Sequence, residues 1–92
     1  MGGAFRLSSF NQNINDWDVS NVTTTQAMFQ YASQFNQPLD NWDVSKVENM
    51  IAMFQLSGFN RDISSWDVSS VTTMHYMFGA SPFNQDLSSW DI

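Results

Sequence analysis

Apolar residues recur along this chain in one fixed order. In residues 35–54 they stand at Phe35, Leu39, Trp42, Val44, Val47, Met50, Met53 and Phe54, with mostly polar residues between them. Trp17, Trp42, Trp66 and Trp90 are separated by 25, 24 and 24 positions, and Phe10, Phe35, Phe59 and Phe83, each followed by Asn, keep the same separations. Within each unit Phe precedes Trp by seven positions, Trp precedes Val22, Val47 or Val71 by five, and that Val precedes Phe29, Phe54 or Phe78 by seven. All variation in length falls just after that last Phe, where Gln, Ser, Gly and Pro mark a surface turn.

The pattern predicts two elements per unit. Val47, Met50, Met53 and Phe54 recur at i, i+3, i+6 and i+7, as on one face of a short helix, and Val71, Met74, Met77 and Phe78 repeat the series. Ser45 with Glu48 matches a capping box at the start of that helix, and Ser20 and Ser69 stand where they would cap likewise. Before each cap, Trp-Asp-Val alternates like a very short strand, with Trp and Val on one face and Asp on the other. The combined spacing resembles that of leucine-rich repeats, where a strand lines one wall of a coil and a helical turn returns along the other.

The fold class expected is therefore α/β: a right-handed leucine-rich-repeat-like solenoid with one very short parallel Trp-Asp-Val strand and one short helix per repeat. It would be a single domain over residues 1–92, of about four repeats at approximately 5–28, 29–53, 54–77 and 78–92. Energetics require the repetition. Ordering about 24 residues costs roughly 1–2 kcal/mol each in backbone entropy, whereas burying the eight apolar residues of one unit returns roughly 1.5–3 kcal/mol each, so a unit folds only against its neighbours. The end at Trp90-Asp91-Ile92, without the segment that follows the other Trp-Asp-Val units, is expected of a fragment of a longer array.

Composition narrows the function classes. Three Lys and Arg against nine Asp and Glu give a net charge of −6, which speaks against a nucleic-acid partner or an anionic membrane surface. No apolar run approaches the roughly 20 residues needed to cross a bilayer, so direct membrane insertion is not expected. With no Cys, disulfides, thiolate metal sites and Cys nucleophiles are all excluded.

With Met-Phe, Phe-Asn-Gln, Leu-Ser-Ser-Trp and Trp-Asp-Val-Ser-Ser-Val-Thr in this order, the chain resembles a bacterial surface-protein repeat family of about 25 residues per unit, found in lipoproteins of wall-less bacteria and in cell-wall-anchored proteins. It resembles BspA-like leucine-rich repeats more distantly. The likeness runs from about Phe5 to Ile92, departing at Thr25 and Ala4, which replace Met. The resemblance implies a surface-exposed array used in adhesion or host contact, extracellular or at the cell surface, and no catalytic site.

Four groups of residues are candidates for a role. If the Trp-Asp-Val strands paired in register, Asp18, Asp43, Asp67 and Asp91 would form a column of carboxylates roughly 4.8 Å apart, a binding face for a cation or a basic partner unless each Asp instead accepts hydrogen bonds from nearby backbone amides or the following Ser. Asn11, Asn36, Asn60 and Asn84 form a second column, read as a structural ladder. Ile51 and Tyr76 point away from the predicted coil as a contact patch. Phe5, Phe10, Leu87, Trp90 and Ile92 lie in the terminal coils, where unpaired edges would favour self-association into a homo-oligomer.

His75 is the sole histidine, so no Ser-His-Asp set or imidazole pair can form within one chain. The expected function is a non-enzymatic module that binds a protein or glycan at a cell surface, with no cofactor and no catalytic or metal site. The alternative is a structural spacer or self-assembling segment. A metal-assisted polysaccharide-active wall is a third reading, which the shortage of basic groups near the Asp column disfavours.

Overall fold

Turns, more than helix or strand propensity, build each repeat of the computed structural model, which describes residues 2–7 and 9–90. After Val22 the chain reverses between Thr25 O and Met28 N (3.0 Å), between Ala27 O and Gln30 N (3.2 Å), and between Phe29 O and Ala32 N (3.0 Å). Ala27 and Tyr31, with φ of 55° and 61°, hold the third positions of the first and last of these turns, where a type II turn requires a left-handed residue. The next repeat closes the same turns at Met50/Met53, Ala52/Gln55 and Phe54/Ser57, with Ala52 and Leu56 left-handed. The third closes them at Met74/Met77, Tyr76/Gly79 and Phe78/Ser81, with Tyr76 and Ala80 left-handed.

This string of turns replaces the expected helix. Among the described residues there is no helix, and the strand pairing consists of two isolated parallel bridges, Thr24 with Asn49 and Asn49 with Thr73. The expected α/β leucine-rich-repeat-like solenoid is therefore not the fold, and the chain is a compact body of irregular, turn-built structure. The misreading lies in the period. On a helix of about 3.6 residues per turn, residues six apart stand roughly 120° from each other, so Val47 and Met53 would not share a face. Turns closing every second or third residue do bring Val47, Met50, Met53 and Phe54 inward together, each 0% exposed. Ser45 is no helix cap either: its amide donates to Asp43 Oδ1, and it begins the two-residue turn closed by Val44 O and Val47 N.

The Trp-Asp-Val segments are likewise not strands. Each lies between two tight turns, one closed by Ile14/Trp17, Leu39/Trp42 or Ile63/Trp66 and the next by Val19/Val22, Val44/Val47 or Val68/Val71, and Leu87/Trp90 closes the equivalent first turn of the last repeat. The alternation read from the sequence persists without a ladder: Trp42, Val44, Trp66 and Val68 are buried while Asp43 and Asp67 are exposed.

Bonding from repeat to repeat runs through the turn string. The amides of Thr25, Ala27, Phe29 and Tyr31 donate to the carbonyls of Asn49, Ile51, Met53 and Gln55 at 2.8–2.9 Å. Met50, Ala52, Phe54 and Leu56 donate to Thr73, His75, Met77 and Gly79 over the same distances, and Gly3, Phe5 and Leu7 to Gln26, Met28 and Gln30. A left-handed non-glycine residue costs about 1–2 kcal/mol. Ladder bonds on the amides of Ala27, Tyr31, Ala52 and Leu56 hold that strain in place.

Inside, each repeat sets its rings on those of the next. Phe5, Phe29, Phe54 and Phe78 stack at centroid spacings of 5.4, 5.5 and 5.7 Å, and Phe10, Phe35, Phe59 and Phe83 at 6.2, 6.1 and 6.0 Å. Trp42 and Trp66, 3% and 4% exposed, donate their indole N–H to Ile14 O and Leu39 O of the preceding repeat, both at 2.9 Å. The body measures 30 × 25 × 19 Å, and no helix among the described residues is long and apolar enough to cross a membrane.

Candidate functional site

The acidic column is built from a short local motif. In Asp-x-Ser, the carboxylate two residues back can accept the Ser amide and so close an Asx turn. Asp18, Asp43 and Asp67 do this with Ser20, Ser45 and Ser69 at 3.0–3.1 Å, and Ser20 Oγ adds a 2.6 Å bond to Asp18. In all three, hydrogen bonding from the Ser side chain and then from its amide holds the carboxyl below the usual carboxylate range. At Asp43, Lys46 lowers it further while Asp18 opposes, and at Asp67 the neighbouring Asp43 opposes. The column is exposed, and its like charges feel one another, but each carboxylate is engaged within its own repeat. Asp91 lies outside the described residues.

A second acidic column escaped the sequence reading. Asp62 and Asp86 accept the amides of Ser64 and Ser88 at 2.9 Å, and both are held low, first by that amide and then by the Ser side chain. The signal was present as the same Asp-x-Ser spacing, hidden because the corresponding positions in the first two repeats are Asn13 and Pro38. A shallow hollow lined by Asp62, Ser64, Gln85, Asp86, Ser88 and Ser89 lies along it. Among the described residues no three His, Cys, Asp or Glu side chains come together as metal ligands.

The Asn residues connect repeats. Asn11, Asn36 and Asn60 each accept, through Oδ1, the backbone amide of the next Asn in the column at 2.9–3.1 Å, and Asn84 donates the last of these bonds. Gln37 and Gln85 add side-chain bonds to Asn11 and Asn60. The ladder is half-buried at Asn36 and Asn60 and exposed at Asn11 and Asn84.

The most exposed apolar groups are largely on the turns. Leu7, Tyr31, Leu56 and Tyr76 are 67%, 38%, 39% and 72% exposed, and each has φ between 56° and 61°. Leu7, Tyr31 and Leu56 are equivalent residues of successive repeats, and the Arg6 guanidinium lies over the Tyr31 ring at 5.5 Å. Of this group the sequence reading selected Tyr76 alone. Leu7, Tyr31 and Leu56 sit in the segment of variable length, where apolar residues carry no periodic signal. Ile51, paired with Tyr76 in that reading, is half-buried, and its amide donates to Asn49 Oδ1.

At the two ends, Phe5 and Phe10 are half-buried and stack on each other at 4.3 Å, whereas Leu87 and Trp90 are half-buried at the other face. Trp90 stacks on Trp66 at 6.3 Å and donates its indole N–H to Ile63 O. Ile92 lies outside the described residues.

No curated protein and no solved structure matches the chain. A family model described as Mycoplasma protein of unknown function, DUF285, matches residues 1–92, and the chain belongs to that family.

Proposed function

We propose that the chain is a non-catalytic binding module, displayed outside the cell as a bacterial surface repeat, and that it grips a protein partner through the exposed turn residues Leu7, Tyr31, Leu56 and Tyr76. The observation that carries this reading is the coincidence of strain and exposure. A left-handed position favours Gly, and a large apolar side chain there stabilises little when it faces water. Four such side chains hold left-handed positions and remain more than a third exposed. Strain kept at a surface without a packing return fits a contact surface.

A protein fits better than a glycan. Sugar rings stack on open aromatic faces, and of the four residues Tyr76 alone offers one, since the Tyr31 ring already carries the Arg6 guanidinium and Leu7 and Leu56 offer aliphatic surface. Five of the nine acidic side chains suit catalysis poorly, since Asp18, Asp43, Asp62, Asp67 and Asp86 are each committed to a turn. Membership of a Mycoplasma family is compatible with display on a bacterial surface.

The test is binding of the labelled chain to arrays of host-surface and matrix proteins and of glycans, compared with a Leu7→Ser, Leu56→Ser, Tyr76→Ser variant shown to keep its melting temperature. Binding to a protein that falls at least about tenfold in the variant is expected, since burying such groups dominates interface energy. Binding unaffected by the three changes, or glycans as the sole ligands, would refute the reading.

A further inference from the structure

The turn strings, residues 25–32, 50–57 and 74–81, stack into one wall that runs along the repeats. Its backbone is already engaged: in the first of them the amides of Thr25, Ala27, Phe29 and Tyr31 donate to the next repeat, and those of Met28, Gln30 and Ala32 close turns. Side chains therefore decide what the wall can meet. Tyr31 and Leu56, 38% and 39% exposed, stand one repeat apart in a row on it. Both belong to the middle of the stack, so further repeats at either end would lengthen the row without covering it.

Charge avoids this wall. The chain has nine Asp and Glu and a net charge of −6, yet none of the nine lies in a turn string. Beside Tyr31 and Leu56 stand Gln30 and Gln55, bonded to each other at 2.6 Å, and the charged group that reaches Tyr31 is the Arg6 guanidinium, 5.5 Å from the ring centroid. Approach of a second copy through the exposed Asp18, Asp43 and Asp67 column, or through Asp62 and Asp86, sets carboxylate against carboxylate. A wall of apolar and amide groups without acid is where two copies of so acidic a chain meet with least repulsion, and depletion of charge is the mark of an interface core.

We propose that two chains pair wall to wall about a two-fold axis, with Tyr31 of each against Leu56 of the other, and that this pair is the resting form of the contact surface. The pairing rests on the reading of the exposed turn residues as a contact surface and adds what covers them before another partner arrives, which must then displace the second copy. The register follows from Arg6. Tyr31 against Tyr31 would bring two guanidinium groups together, whereas Tyr31 against Leu56 holds them apart on opposite sides of the axis and covers an aromatic ring with an aliphatic group twice. A two-fold contact uses the same patch on both copies and closes, so this wall makes dimers. The acid on the other sides of each chain still opposes the pair, and added salt strengthens it.

Sedimentation velocity across a wide concentration range tests this, with a monomer to dimer equilibrium expected. Leu56→Asp puts a carboxylate into the contact twice and weakens the dimer at least about tenfold. Asn41→Asp makes the same change in net charge at an exposed position off the wall, and weakens it by about twofold or less. Unchanged melting temperatures show that both variants fold. As a second readout, Tyr31→Cys and Leu56→Cys chains, in a protein with no other Cys, are mixed and oxidised, and the mixed disulfide forms several times faster than either symmetric one. Monomer at every concentration, equal weakening by the two Asp variants, or symmetric disulfides that form as fast as the mixed one would each overturn the pairing. Binding to host proteins is measured separately on the arrays, so a dimer that finds no partner there refutes that reading alone, and a monomer that finds one refutes the pairing alone.

Discussion

The four Trp residues allow burial and indole bonding to be separated by substitution. Trp42 is 3% exposed, its indole N–H reaches Ile14 O at 2.9 Å, and its ring lies 6.2 Å from Phe29. Burying a Trp removes about 200 Å² from water, worth up to about 5 kcal/mol, and the indole bond adds about 1 kcal/mol. Measured Trp truncations of about 3–5 kcal/mol bracket what Trp42→Ala should cost. Ile14 O still accepts the Trp17 amide at 3.0 Å, so the truncation does not orphan that carbonyl. Trp17, 44% exposed and without an indole acceptor among the described residues, should cost roughly half as much, about 2 kcal/mol. Trp42→Phe keeps most of the ring and loses the bond, for about 1–2 kcal/mol, whereas Trp17→Phe should be nearly silent. Urea denaturation followed by circular dichroism at low protein concentration gives all four values. Equal losses at Trp17 and Trp42 would refute the idea that a Trp draws much of its stabilisation from the repeat before it.

Further expectations concern the backbone and the carboxylates. A Cβ at Gly58 would stand 2.3 Å from Ser33 O, a backbone atom that cannot swing aside, so Gly58→Ala should cost about 1–3 kcal/mol in the same urea experiment. Ala80, exposed with φ of 52°, should tolerate Gly with unchanged or higher melting temperature, because relief of about 1–2 kcal/mol of strain outweighs the added freedom of the unfolded chain. Asp18, Asp43, Asp62, Asp67 and Asp86 all have lowered folded-state values, so their contribution is present above the ordinary carboxylate range and is lost as pH falls through the lower folded values. Melting temperature should therefore fall below about pH 4, and Asp67→Asn, which keeps the accepting oxygen, should flatten that limb. Millimolar Ca²⁺ should leave the melting temperature unchanged, and a concentration-dependent rise would show that the acidic columns bind a cation in the folded state.

Much of the packing was legible in the sequence, and the backbone was not. In the central repeat spacing alone told which residues fall inside, since Trp42, Val44, Val47, Met50, Met53 and Phe54 are all buried. It also placed Asn11, Asn36, Asn60 and Asn84 in a column. What misled was the assumption that apolar residues at i and i+3 sit on a helix. Consecutive turns produce the same spacing, and their usual signature, Gly at the left-handed position, is missing because Ala27, Tyr31, Ala52, Leu56, Tyr76 and Ala80 stand there. Nothing in an Ala or Tyr announces positive φ. For the same reason the exposed Leu7, Tyr31 and Leu56 read as ordinary turn residues until the backbone placed them in one register.

Stacking also explains the composition. When a motif is laid on copies of itself, each residue becomes its own neighbour, and only some side chains tolerate that. Phe does, ring on ring at 5.4–6.2 Å. Gln does because it carries both donor and acceptor, as in the 2.6 Å bond from Gln30 Nε2 to Gln55 Oε1, and Asn does because its Oδ1 accepts the backbone amide of the next Asn, as Asn11 does from Asn36. Asp does not, since a carboxylate stacked on a carboxylate only repels. The Asp-x-Ser turn meets this difficulty by giving each carboxylate a hydrogen-bond donor inside its own repeat, at the residue two positions on. Charged residues accordingly make up only 13% of the chain. A cationic side chain enters where the repeats below and above differ from it: Lys46 lies in the column of Asn21 and Ser70 and donates to Asn21 Oδ1, and Arg61 in that of Gln37 and Gln85 donates to Asn36 O. Five of the nine acidic residues, Asp18, Asp43, Asp62, Asp67 and Asp86, thus fix turns, while the exposed Tyr and Leu side chains sit at positions the stacking does not require.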